Sequence, residues 1–138
     1  MRQEIIRRAL AERAVDGADA SAVAEAAVLT LQLLHVELEA LVGAQAARAL
    51  YARSLHLTRA TFSWLSPATS GPLGELLTAL GSDIVARAPT EARRAVESLL
   101  LHFAELLTSL IGEPLTHRLL RSAWGTPAAG EPSQEKAQ

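Results

Sequence analysis

The segment from Asp19 to Val42 is the feature that most limits how this chain can fold. At 100° per residue, its apolar side chains point almost all round the axis of a helix. These side chains are Val28, Leu29, Leu31, Leu33, Leu34, Val36, Leu38 and Leu41. Only a narrow polar stripe interrupts them, made of Glu25, Gln32, His35 and Glu39. A helix that is apolar on nearly all sides has to be covered by other elements, so we expect a central helix, capped by Asp19 or Ser21.

The rest of the chain also favours helix. Apolar residues make up 49% of the 138 residues, but aromatic residues only 4%, and alanine and leucine dominate. The apolar periodicity predicts helices over 2–15, 19–42, 44–65, 75–87, 90–111 and 113–124, with a Pro- and Gly-rich loop at 66–74. We therefore expect an all-α fold, a single-domain bundle of five to six helices.

The same turn occurs twice in this pattern. An apolar helix, a glycine and a basic helix follow one another at Gly43 and again at Gly112. Aligning the two glycines places Leu34 on Phe103, Leu38 on Leu107, Leu41 on Leu110, Val42 on Ile111 and Leu50 on Leu119. The pattern predicts two helix–Gly–helix hairpins around a shared core. It does not separate a true duplication from a chance match, because glycine ends roughly a third to a half of helices.

The domain boundary is predicted near residue 125. Residues 1–125 contain the periodic apolar segments, whereas 126–138 are rich in Pro, Gly, Ser and Glu. A segment of that composition cannot bury enough apolar surface to offset its ordering entropy, so we expect a disordered C-terminal tail.

Composition also narrows the classes of function. The net charge is −2, which makes nucleic acid a poor candidate partner. The chain has no cysteine, so disulfides and thiolate chemistry are excluded. The first residues lack the apolar run of a secretory signal, and no unbroken apolar run reaches the roughly 18 residues of a membrane span. We expect a cytoplasmic protein without a membrane span, and the strong preference for Arg over Lys indicates a GC-rich, bacterial genome.

The best polar constellation lies on the third predicted helix. Gln45, Arg48, Ala52, His56 and Arg59 are spaced by three and four residues and form one stripe. This stripe could bind an anion or a partner. The alternative is a solvated face, partly paired with the acidic stripe across Gly43, and surface ion pairs of this kind are individually weak.

Two histidines have the spacing of metal ligands on a helix, His35 with Glu39 and His102 with Glu105. Neither pair extends to a longer ligand array, so we expect no metal and no other cofactor. His102 also lies nine residues before Ile111–Gly112, and this spacing resembles histidine phosphotransfer domains. The resemblance implies a basic and then a small residue after the histidine, where this chain has Glu105 and Leu106.

These patterns favour a non-enzymatic interaction or regulatory module. The alternatives are a small-molecule sensor with an apolar pocket between the hairpins and, third, a phosphotransfer protein acting through His102. Six helices in so small a domain should leave some apolar surface exposed, and exposed apolar patches usually mark interfaces. We therefore expect a homodimer through helix faces around 90–124, with Trp124 near the edge. We also expect another protein to bind through Arg48, His56 and Arg59.

Overall fold

The computed structural model describes residues 2–13, 19–68 and 71–124, with side chains from Glu4 to Ala9 in the first of these ranges. Within them, the chain forms six α-helices packed into a single-domain bundle, as the sequence predicts. The helices are α1 (Arg2–Arg13), α2 (Ala20–Val42), α3 (Ala44–Arg59), α4 (Leu73–Val85), α5 (Pro89–Ile111) and α6 (Glu113–Trp124).

Helix α2 is the centre of the bundle. It packs against α1, α3, α4, α5 and α6, which explains why apolar residues surround most of its axis. Its first turn is capped by Asp19, whose carboxylate accepts a hydrogen bond of 2.9 Å from the amide of Ala22. Leu31, Leu34 and Leu38 are completely or almost completely buried along its inner face.

Both hairpin glycines adopt the same backbone conformation. Gly43 has φ 92° and ψ 162°, and Gly112 has φ 90° and ψ 160°. This region of backbone space is essentially restricted to glycine. Each amide donates to the carbonyl four residues earlier, Glu39 and Thr108 respectively, before the next helix begins at once. The two helix–Gly–helix hairpins are therefore confirmed.

The two halves of the chain repeat the same structure. With a shift of 69 positions (Gly43 to Gly112), α2 and α5 begin and end at equivalent residues. The buried residues of α5 are Ala92, Ala95, Val96, Leu99, Leu100, Phe103, Ala104 and Leu107. Each of these positions corresponds to a buried position of α2, which are Val23, Ala26, Ala27, Thr30, Leu31, Leu34, His35 and Leu38. The sequence match at the two glycines thus reflects a repeat of structure.

The halves also exchange neighbours. Helix α2 packs mainly against α4 and α6 from the second half, and α5 packs mainly against α3 from the first, with α1 and α6 contributing equally after it. This reciprocal contact pattern is the one that an approximate twofold axis between the halves would produce. The core is therefore shared between the halves, as the hairpin pattern predicts.

The third helix is shorter than its predicted range of 44–65. Helix α3 ends at Arg59, and residues 60–65 form tight turns in which Thr61 donates to the carbonyl of Thr58, and Leu65 to that of Phe62. Phe62 and Leu65 are buried, so their apolar side chains line the core from a turn, although sequence periodicity places them on a helix. Trp64 consequently lies outside α3.

Helix α5 begins one residue before its predicted range of 90–111. Thr90 lies inside the helix, the N-cap residue is Ala88, and Pro89 occupies the first turn, where its missing N–H costs nothing. The predicted disordered tail at 126–138 lies outside the described residues, and the domain boundary at 125 stays a prediction.

Candidate functional site

Two arginines of the predicted α3 stripe hold the connection that follows the helix. The Nε of Arg48 donates to the carbonyl of Gly71 at 2.7 Å, and the Nε of Arg59 donates to the carbonyl of Leu65 at 2.7 Å. His56 is exposed on the same helix. These arginines thus have a structural role, and their binding role stays a prediction.

Trp124 packs into its own chain. Its ring is 7% exposed, and its indole N–H donates to the carbonyl of Thr30 at 3.0 Å. This hydrogen bond joins the end of α6 to the middle of α2. The side chain expected at the edge of an interface is therefore part of the core.

His102 is held in one tautomer by a hydrogen-bond chain to α3. The hydroxyl of Thr58 donates to the carbonyl of Ser54 at 2.8 Å, so its oxygen accepts from Nδ1–H of His102 at 2.9 Å. The ring is half-buried, with Glu105 exposed and Leu106 half-buried on the same helix. This hydrogen bond between α3 and α5 is sufficient to explain the orientation of the His102 ring. A role of His102 in phosphotransfer stays a prediction.

A second histidine occupies a position that the sequence placed on a polar stripe. His35 is 2% exposed, and its ring lies edge-on to Tyr51 at 5.9 Å and to Phe103 at 5.4 Å between centroids. Its Nδ1–H donates to the carbonyl of Leu31 at 2.8 Å. Burial lowers the pKa of His35 below its ordinary value of 6.5. The repeat could have revealed this burial, because the equivalent residue is Ala104, inside an apolar segment.

Two polar atoms of this cluster have no hydrogen-bond partner among the described residues, Nε2 of His35 and the hydroxyl of Tyr51. Desolvation raises the pKa of Tyr51 well above its ordinary value. Both side chains are therefore neutral at physiological pH and act as core residues. In the described part of the chain, no three His, Asp or Glu side chains group as metal ligands.

The exposed apolar side chains are concentrated on α2. Leu29, Val36 and Leu41 are 44%, 67% and 47% exposed, whereas Leu110 is the one large apolar residue of the described part of 90–124 exposed to this degree. The face around 90–124 is thus less apolar than expected. Spacings of three and four place Glu25, Leu29, Gln32, Val36 and Ala40 along one outer line of α2. We call these five residues the α2 stripe.

The repeat shows what the equivalent line looks like on α5. Its residues are Arg94, Ser98, Leu101, Glu105 and Ser109. The three positions occupied on α2 by Leu29, Val36 and Ala40 are therefore Ser98, Glu105 and Ser109 on α5, which are residues typical of a solvated helix face. At these three positions the line is apolar in the first half and polar in the second, whereas at Gln32 and Leu101 the polarity is reversed.

Surface grooves lie between neighbouring helices of the described residues, and four of them form two equivalent pairs. In the first pair, one groove lies between α2 and α4 and the other between α1 and α5. In the second pair, the grooves lie between α2 and α6 and between α3 and α5, and all seven lining positions correspond under the shift of 69. Three residues of the α2 stripe, Glu25, Leu29 and Gln32, line the α2–α4 groove together with Val85.

Helix α2 is also long and apolar enough to cross a membrane by length and composition. Half of its most apolar window is buried inside the bundle, as in the core helix of a soluble protein, so this property is weak support for a span. The absence of a membrane span stays a prediction.

Compared with protein-family models, with curated proteins and with solved structures, the chain matches none of them.

Proposed function

We propose that this chain is a non-enzymatic, cytoplasmic interaction module that binds protein through the α2 stripe, with a second copy of itself as the first partner. The observation that carries the proposal is the exposure of Leu29 and Val36 at positions where the other half of the molecule has Ser98 and Glu105. Val36 and Glu105 are both exposed, whereas Leu29 is exposed and Ser98 is half-buried, so the apolar residues lie on the more exposed of the two lines. Removing the apolar surface of such a stripe from water is favourable, so binding of another molecule over it is favoured.

A closed twofold dimer is the simplest way to cover one such stripe. In it, the α2 stripe of one copy would lie against that of the other, and Val36, the most exposed large apolar residue, would lie inside the contact. Glu25 and Gln32 lie between the apolar residues of the stripe. Polar side chains at these positions keep the free monomer soluble before the stripe is covered.

The alternatives have less support. The grooves are open to the surface between adjacent helices, and the polar residues around His35 are enclosed in the core, so a small-molecule sensor has no favoured site. His102 has Glu105 on its own helix, whose charge would repel a phosphoryl group.

Light scattering during size-exclusion chromatography at micromolar concentration tests the proposal. We expect a mass twice the 14.7 kDa of one chain. Val36→Glu introduces the residue type found at the equivalent position and should give the monomer. Leu110→Glu is the matched control, because Leu110 is 58% exposed but lies away from the stripe, and it should stay dimeric. A monomeric wild-type protein, or a dimer that survives Val36→Glu, would contradict the proposed interface.

A further inference from the structure

The groove between α3 and α5 is the most apolar of the four. Its lining residues are Ala46, Ala49, Leu50, Arg53, Leu106, Ser109 and Leu110. It has a volume of about 430 Å³ and runs between two antiparallel helices. The alanines lie on the α3 side, so a helix backbone can approach that wall closely, and Leu106 and Leu110 form the opposite wall.

The equivalent groove between α2 and α6 is different in chemistry. Where the α3–α5 groove has Leu106 and Arg53, the other has Glu37 and Ser122, and the hydroxyl of Ser122 donates to the carboxylate of Glu37 at 2.9 Å. Arg118 stands in place of Ala49. A polar contact thus crosses one groove, while its counterpart is left apolar with a single charged side chain.

That charged side chain is the arginine of α3 that the fold itself does not use. Arg48 and Arg59 donate to backbone carbonyls of the following connection, whereas Arg53 is exposed and makes no hydrogen bond or ion pair with the described residues. The sequence has no acidic residue between Glu39 and Glu75, so α3 offers only positive charge to anything lying along it.

We propose that the α3–α5 groove binds an amphipathic helix of another protein that carries an acidic residue beside its apolar face. Apolar side chains at spacings of three and four would lie over Leu106 and Leu110, and the acidic residue would meet Arg53. This mode of recognition matches apolar anchors on a helix to a hydrophobic groove. The charge of Arg53 selects an acidic helix over a basic one. The site is separate from the α2 stripe and does not depend on dimer formation.

A pair of synthetic peptides tests the proposal. Both are about 18 residues long, long enough for marginal helix formation, with leucine at i, i+3, i+4 and i+7. One has glutamate on the polar face, and the other has lysine at the same positions. Each is titrated into the ¹⁵N-labelled protein, in the wild type and in Val36→Glu, and amide shifts are followed by NMR. We expect the acidic peptide to bind about threefold to fivefold more tightly than the lysine peptide. Its shifts should cluster at 46–53 and 106–110, with little change at 37–41 and 115–122.

Matched variants separate the groove from general stickiness. Arg53→Ser introduces the residue type of the equivalent groove and should remove the preference for the acidic peptide, whereas Arg121→Ser should keep it. Leu110→Ser should weaken binding, and Leu41→Ser, at the equivalent position, should not. Thermal melts of all four variants exclude loss of the fold. Absence of binding, equal shifts in both grooves, or an acidic preference that survives Arg53→Ser would each overturn the proposal, whatever the oligomeric state.

Discussion

At the scale of single residues, His35 makes the stability of the fold sensitive to acid. Its pKa in the folded state is below 6.5 because the ring is buried, while the unfolded chain titrates near 6.5. Above pH 6.5 both states are neutral there, so His35 has no effect on the pH dependence. As the pH falls below 6.5, the unfolded state binds the proton first, and the free energy of unfolding decreases.

The slope contributed by this residue below pH 6.5 is at most about 1.4 kcal/mol per pH unit, the limit for one proton, and it is measured between pH 6.5 and about pH 5, above the range where carboxylates titrate. Urea unfolding across that range measures it. His35→Ala should flatten the profile even though it lowers stability overall, and His56→Ala, at an exposed site, is the control for loss of an imidazole. Equal slopes in the wild type and His35→Ala would show that the buried ring does not control acid stability.

The hairpin glycines give a second prediction at this scale. Gly112→Ala and Gly43→Ala should each lower the free energy of unfolding by about 1–3 kcal/mol, because a Cβ is strained at φ near 90°. Gly81→Ala is the contrasting substitution. It lies inside α4 with ordinary φ, and its new Cβ would be 3.4 Å from Cγ2 of Val28, so higher helix propensity should offset the tight contact.

Urea midpoints compare these variants. Stabilities of Gly112→Ala and Gly81→Ala that are equal within error would mean that Gly112 does not need its positive φ. The sequence predicted the position of both glycines and their role as helix ends. It could not predict ψ near 160°, because that angle depends on how closely the two helices of each hairpin pack.

At the scale of helices, the arginines of α3 hold its C-terminal connection in place. Arg48→Met and Arg59→Met should each lower the free energy of unfolding by about 1–2 kcal/mol, because each removes the charged donor of a partly buried hydrogen bond to a backbone carbonyl. Arg53→Met should change stability by less than about 0.5 kcal/mol because its side chain is exposed. Thermal melting compares the three variants, and equal effects would contradict the division between structural and free arginines.

The same helix shows where sequence patterns lose information. Spacings of three and four placed Arg48 and Arg59 on one face correctly, but the periodicity did not show that this face carries the connection after α3. That contact joins residues 23 positions apart, Arg48 and Gly71, and depends on where the chain turns back. Periodicity also did not show that α3 ends at Arg59, because Phe62 and Leu65 continue the apolar pattern from within a turn.

At the scale of the whole molecule, the central position of α2 was predictable, because a helix with apolar side chains on nearly all sides has to be surrounded by other helices. The location of the exposed stripe was not, because Leu29 and Val36 look like core residues until the positions of α4 and α6 are known. The hairpin pattern also could not predict that each half packs against helices of the other. Sequence periodicity shows which face of a helix is apolar, but not which helix covers that face.

This exchange predicts that neither half folds alone. In residues 1–70, α2 would lack α4 and α6, and in residues 71–138, α5 would lack α3 and α1. Each fragment would expose most of the apolar face that the other covers, which removes the main stabilising contribution to folding. We expect each fragment at low micromolar concentration to show weak helicity by circular dichroism and no cooperative melt. An equimolar mixture should recover the helicity and the cooperative transition of the intact chain, with a midpoint that rises with concentration because association is now bimolecular. A cooperative melt of either fragment as a monomer would show that the halves are independent units and that the shared core is not required.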